Sequence, residues 1–95
     1  MKERYYYLRD EKNRPMTTIC LMERNGIITK GVALCSEKDI PCKKVGRKIA
    51  KERAKHAMLE LKDSCITKRK ESRAFSFKSV YMPVLTEYED KILGF

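Results

Sequence analysis

Apolar and polar residues follow two different periods along this chain, one that predicts strands and one that predicts a helix. Residues 4–9, Arg-Tyr-Tyr-Tyr-Leu-Arg, and residues 16–23 read as strands, rich in aromatic and branched side chains. Pro15, which lacks a ladder donor, closes the polar connection between them. Asn25-Gly26 then separates two strand-like runs, the signature of a hairpin turn with positive φ at both central residues. With that pair as the loop, Arg24 faces Ile27, Leu21 faces Lys30, Ile19 faces Val32 and Thr17 faces Leu34. This register gathers Ile19, Leu21, Ile28, Val32 and Leu34 on one side, expected to be the core face. The other side carries Thr18, Cys20, Met22, Thr29, Gly31 and Ala33, expected to lie open to water, to a ligand or to a second protomer.

From Cys42 to Leu61 the period changes to that of a helix. Cys42, Val45, Ile49, Ala50, Ala54, Ala57, Met58 and Leu61 recur at three- and four-residue steps. Pro41 forces Ile40 out of helical conformation, so the helix is expected to begin at Pro41–Lys43, with Ser36, Asp39 or the Cys42 thiol as candidate caps. Its stripe is expected to lie on the core face, pairing Val45, Ile49, Ala54 and Leu61 with Ile19, Leu21, Val32 and Leu34. Beyond Leu61 come an exposed loop and a fourth strand over 74–82. Thr86-Glu87-Tyr88-Glu89 has the spacing of a capping box, predicting a short helix over 87–93 or, alternatively, an extended tail. The chain thus reads as a single α+β domain over residues 1–95. It comprises a three-stranded antiparallel meander, a long amphipathic helix on one sheet face, a fourth strand, and a short C-terminal helix or tail.

Charge sharpens this picture. The 95 residues hold 22 Lys+Arg against 13 Asp+Glu, a net charge of +9. Residues 36–73 hold 13 positive and 6 negative side chains, so the excess sits on the helix and the loop after it. Opposite the apolar stripe run Lys44, Lys48, Lys51 and Lys55, flanked by Lys43 and Arg47, and Lys68, Arg69 and Lys70 follow in the loop. Summed positive charge of this kind attracts the phosphates of nucleic acid, DNA or RNA. Tyr5 and Tyr7, between Arg4 and Arg9, are candidates to stack on bases, although alternation also qualifies one tyrosine face as core.

Other chemistries find less support. The four cysteines, Cys20, Cys35, Cys42 and Cys65, form no Cys-x-x-Cys pair, and His56 is the only histidine. They are expected to be reduced thiols in a cytoplasmic protein that holds no metal or cofactor. Gly26, Gly31, Gly46 and Gly94 are scattered and form no phosphate loop, and no spacing supports a Cys–His nucleophile, so an enzyme is not expected. No apolar run approaches the roughly 20 residues that span a bilayer, and no membrane partner is expected.

Two resemblances attach to particular residues. Cys42-Lys43-Lys44-Val45-Gly46-Arg47, followed by Ala50, Ala54, Ala57 and Leu61, resembles the Ser-Lys-Lys-x-Ala-Lys opening and alanine-rich face of the last helix in double-stranded RNA-binding domains. That resemblance implies phosphate contacts from Lys43, Lys44 and Arg47. Residues 31–39 and 46–54 are similar to short uncharacterised bacteriophage-encoded proteins. This second resemblance implies an alternative function in the host cytoplasm, as an inhibitor of host defence of the anti-CRISPR kind. Such an inhibitor would dock on a host protein or nucleoprotein.

Overall fold

The computed structural model describes residues 2–9, 11–35, 42–66 and 77–94, with the side chains of 65 and 66 excepted. Its elements are β1 (Lys2–Arg9), β2 (Pro15–Arg24), β3 (Ile27–Leu34), α1 (Lys43–Glu60), β4 (Ser64–Ile66), β5 (Phe77–Tyr81) and α2 (Glu87–Leu93). The strands form one antiparallel sheet in the order β1-β2-β3-β5-β4. This is the expected α+β arrangement of meander, long helix, later strand and short last helix. The three-residue β4 had no sequence signal. Among the described residues, no helix is long and apolar enough to cross a membrane.

The hairpin forms as its turn residues dictate. Asn25 and Gly26 have φ of 51° and 82°, and the ladder pairs Arg24 with Ile27 through to Thr17 with Leu34. The expected register therefore holds, residue for residue.

The packing on that register differs from expectation. α1 does not lie on the Ile19–Leu21–Val32 face. It covers the opposite, small-residue face, where Cys20, Met22, Ala33, Ala50 and Ala54 form one buried cluster with Tyr5, Ile49 and Met58 against it. Shape explains the choice. The helix stripe is mainly Ala50, Ala54 and Ala57, all fully buried, and it offers little volume to fill a gap above large side chains. Against a flat face of small residues the same stripe makes close backbone contact. A Cβ added to Gly31 would run into the Ala50 carbonyl and the Ala54 amide, and one on Gly46 would strike the Thr18 hydroxyl. Thr29 Oγ1 donates to Ala54 O at 2.9 Å within that contact. Val45 and Leu61, expected in the core, are 55% and 52% exposed.

α2 covers the bulky face instead. Ile19, Leu21 and Val32 are fully buried with Leu93, and Tyr6, Ile28, Leu34, Leu85 and Ile92 pack around them. Each such large side chain contributes about 1.5–3 kcal/mol when buried. Seven residues are too few to hold a helix alone, so tertiary contacts must fix it. Thr86 Oγ1 accepts from Glu89 N–H, and Glu89 Oε1 accepts from Thr86 N–H, the capping box expected from the sequence. Lys2 Nζ donates to Leu93 O at 3.0 Å, placing a cation at the helix C-terminus, where the macrodipole favours it.

Candidate nucleic-acid interface

α1 presents its cations in two rows. The first runs along the flank over β1, where helix residues spaced by four meet strand residues spaced by two. Lys43 Nζ lies 5.0 Å from the centre of the Tyr7 ring, and Lys51 Nζ lies 3.3 Å from Glu3 Oε1. Between them, the Arg47 charge acts on Tyr5. The second row, Lys44, Lys48 and Lys55, faces solvent, as do Lys43 and Arg47 themselves. At 1.5 Å per residue it runs about 16 Å from Lys44 to Lys55. Glu52 lies on the same side of the helix, yet neither Lys48 nor Lys55 forms an ion pair with it or with another described residue. Lys68, Arg69 and Lys70 fall outside the described residues.

The charge order along α1 opposes the helix macrodipole. Its first turn holds Lys43 and Lys44 and no acidic residue, and its last turn holds Glu60 and no basic one. A cation near a helix N-terminus is disfavoured by roughly 0.3–1 kcal/mol. The N-cap adds no relief. Cys42 takes the extended cap conformation, but its thiol makes no capping hydrogen bond; the other candidate caps, Ser36 and Asp39, lie outside the described residues. At the other end Leu61 adopts left-handed φ of 56°.

The tyrosines are largely occupied. Tyr5 packs against the cluster under α1, with Cys20 and Glu3 near its hydroxyl. Burial, with the nearby Cys20 and Glu3, pushes the Tyr5 phenol up to about 12. Burial likewise pushes the Cys20 thiol up to about 11, against the opposing influence of the neighbouring Tyr5 hydroxyl. Tyr7 is half-buried, with Lys43 over its ring. Neither ring stands open as a stacking platform, since one sheet face lies under α1 and the other under α2.

Several functional-looking contacts had little or no sequence signal. His56 Nδ1 lies 3.1 Å from Ser64 Oγ, and Asp63 Oδ1 accepts from Tyr81 N–H at 2.8 Å, tying the end of α1 to β4 and β5. Arg53 Nη1 donates to Val32 O at 2.6 Å, turning one cation of the helix inward onto the sheet. Cys20 is buried, Cys35 half-buried and Cys42 exposed, and none of the three is in a disulfide. A cleft of about 250 Å³ opens beside the start of α1, lined by Met16, Ala33, Val45, Ile49 and others, and no charged side chain among the described residues lines it. Comparison with protein-family models, curated proteins and solved structures found no match to the chain.

Proposed function

We propose that this protein binds nucleic acid through the outward side of α1, with Lys44, Lys48 and Lys55 on phosphates and Arg47 and Lys43 beside them. The observation that carries this reading is the placement of the cations against the macrodipole. Lys43 and Lys44 weaken the first turn they occupy, and the outward lysines take no acidic partner among the described residues. A phosphate strand along the helix would answer both features, supplying counter-charge and favourable interaction with the N-terminal dipole. The net charge of +9 adds long-range attraction, and Lys68, Arg69 and Lys70 extend the basic sequence after β4. Because phosphates carry no base identity, the binding is largely indifferent to sequence. Base stacking is a minor part of it, given how Tyr5 and Tyr7 are held.

Fluorescence anisotropy with labelled single strands and duplexes of DNA and RNA tests this directly. The expected result is salt-sensitive binding with little dependence on sequence. Wild-type protein that binds none of these at low salt would remove the proposal and favour the alternative, docking of the same cations on an acidic host protein.

A further inference from the structure

The hydrogen-bond parity of the sheet determines what β1 offers at its outer edge. Cys35 N–H donates to Met16 O, joining the end of β3 to β2, whereas Ile28 O and Val32 O accept from Met82 N–H and from Arg53 on the far side. Odd residues of β3 therefore bond even residues of β2, and the odd residues of β2 turn toward β1. Their partners there are Lys2, Arg4, Tyr6 and Leu8. The peptide groups of Glu3, Tyr5 and Tyr7 must then point outward, where no described strand pairs with them. The Arg4 guanidinium donating to Glu3 O at 2.8 Å fits this parity.

An edge without a partner among the described strands is a template for another strand. Its middle, Tyr5 to Leu8, carries neither charge nor proline to block pairing. Next to it Leu8 and Tyr88 remain 41% and 54% exposed, and Tyr88 meets Tyr6 edge to face at 5.2 Å between ring centres. We propose that the strand that docks here is β1 of a second copy of this chain, antiparallel about a two-fold axis through Tyr6.

Charge complementarity selects that axis. It sets Glu3 of each copy, which holds Lys51 of its own chain, opposite Arg9 of the other, which lies just past the register shift after Leu8 and donates to Asn13 O, so the pair forms by exchange of these contacts. It also sets Tyr5 opposite Tyr7, whose outward peptide groups exchange hydrogen bonds. On the α2 side it brings Tyr6 against Tyr6 and Arg4 against Leu8, covering exposed apolar surface. An axis through Tyr5 would put Glu3 opposite Tyr7 and pair no charges. The two-fold also sets both α1 helices on one side of a continuous sheet, so that the two Lys43–Arg47–Lys51 rows face each other. Repulsion between these rows weakens association, which makes the dimer tighter as salt rises. The dimer does not require nucleic acid and stands independently of the phosphate reading.

Sedimentation equilibrium without nucleic acid tests the interface. Wild type is expected to show a reversible monomer–dimer equilibrium that shifts toward dimer at higher salt. Tyr7→Pro removes an outward N–H and spares the β1–β2 ladder, so it should give a folded monomer. Glu3→Arg alone and Arg9→Glu alone should each weaken association about tenfold or more, and the double variant should restore it. That restoration decides the matter even if Tyr7→Pro fails to fold. Wild type that stays monomeric at all concentrations and salts would overturn the proposal, as would single variants that dimerise like wild type.

Discussion

Lys30 Nζ lies 2.8 Å from Glu89 Oε2, joining the middle of β3 to the first turn of α2 through a carboxylate with no exposed surface. Tyr6 also donates its hydroxyl to that oxygen at 2.8 Å. One acidic side chain thus holds the short helix to two strands while capping its own N-terminus.

The pH dependence of this contact has a definite sign. Burial alone would raise the Glu89 pKa, but hydrogen bonds from Lys30, Thr86 and Tyr6 and the Lys30 charge outweigh it and lower the value. A depressed folded-state pKa gives stability that is present above the unfolded value, about 4.3 for glutamate, and lost as pH falls through the folded value. Glu89→Gln should cost about 3 kcal/mol at neutral pH, within the range seen when one member of a buried pair is removed. In urea titrations, its deficit relative to wild type should shrink as pH falls below about 4. A deficit that is unchanged from neutral to strongly acidic pH would show that the carboxylate charge is not what holds α2.

Gly31 decides which face carries α1. Replacement by Ala pushes a methyl group into the Ala50 carbonyl and the Ala54 amide, atoms of helix backbone that cannot swing aside. Gly31→Ala is expected to destabilise the fold by about 3 kcal/mol, the upper end for overpacking. Were α1 on the Ile19 face, the same substitution would raise strand propensity and be neutral or stabilising. Thermal denaturation of the two proteins distinguishes these outcomes.

Leu61 ends α1 in a left-handed conformation while 52% exposed, a position where its side chain contributes little and its Cβ is strained. Leu61→Gly should stabilise the protein by about 0.5–1 kcal/mol, since left-handed φ costs a non-glycine residue roughly 1–2 kcal/mol and glycine is more flexible unfolded. A loss of stability on this change would mean that the Leu61 side chain makes a contact worth more than the strain.

Local rules with short reach were legible in the sequence. Asn25-Gly26 fixed a turn and, through it, every pair of the β2–β3 ladder, because side-chain alternation leaves no freedom once the loop is set. The Thr86–Glu89 spacing offered the start of α2 as one of two readings, beside an extended tail, because a capping box needs only residues three apart. The choice of face for α1 was not legible, because it depends on which of two helices fits better, a comparison between elements far apart in sequence. Hydrophobicity pointed to Ile19 and Leu21, whereas the deciding residues were the small ones, Gly31, Gly46 and Ala50. The cation row on α1 was readable from periodicity. Its division was not, since the roles of Lys43 over Tyr7 and Lys51 against Glu3 appear only when β1 is placed beside the helix.

The salt dependence of binding by a triple variant tests the central claim most directly. Replacing Lys44, Lys48 and Lys55 together by Ala removes the outward row and leaves Ala50, Ala54 and Ala57 in place, so folding should change by only tenths of a kcal/mol per site. The account predicts weaker binding to every nucleic acid that wild type binds. It also predicts that the slope of log affinity against log salt becomes shallower by roughly 0.7–0.9 for each phosphate that the variant leaves unneutralised. A folded triple variant with the affinity and salt slope of wild type would contradict it.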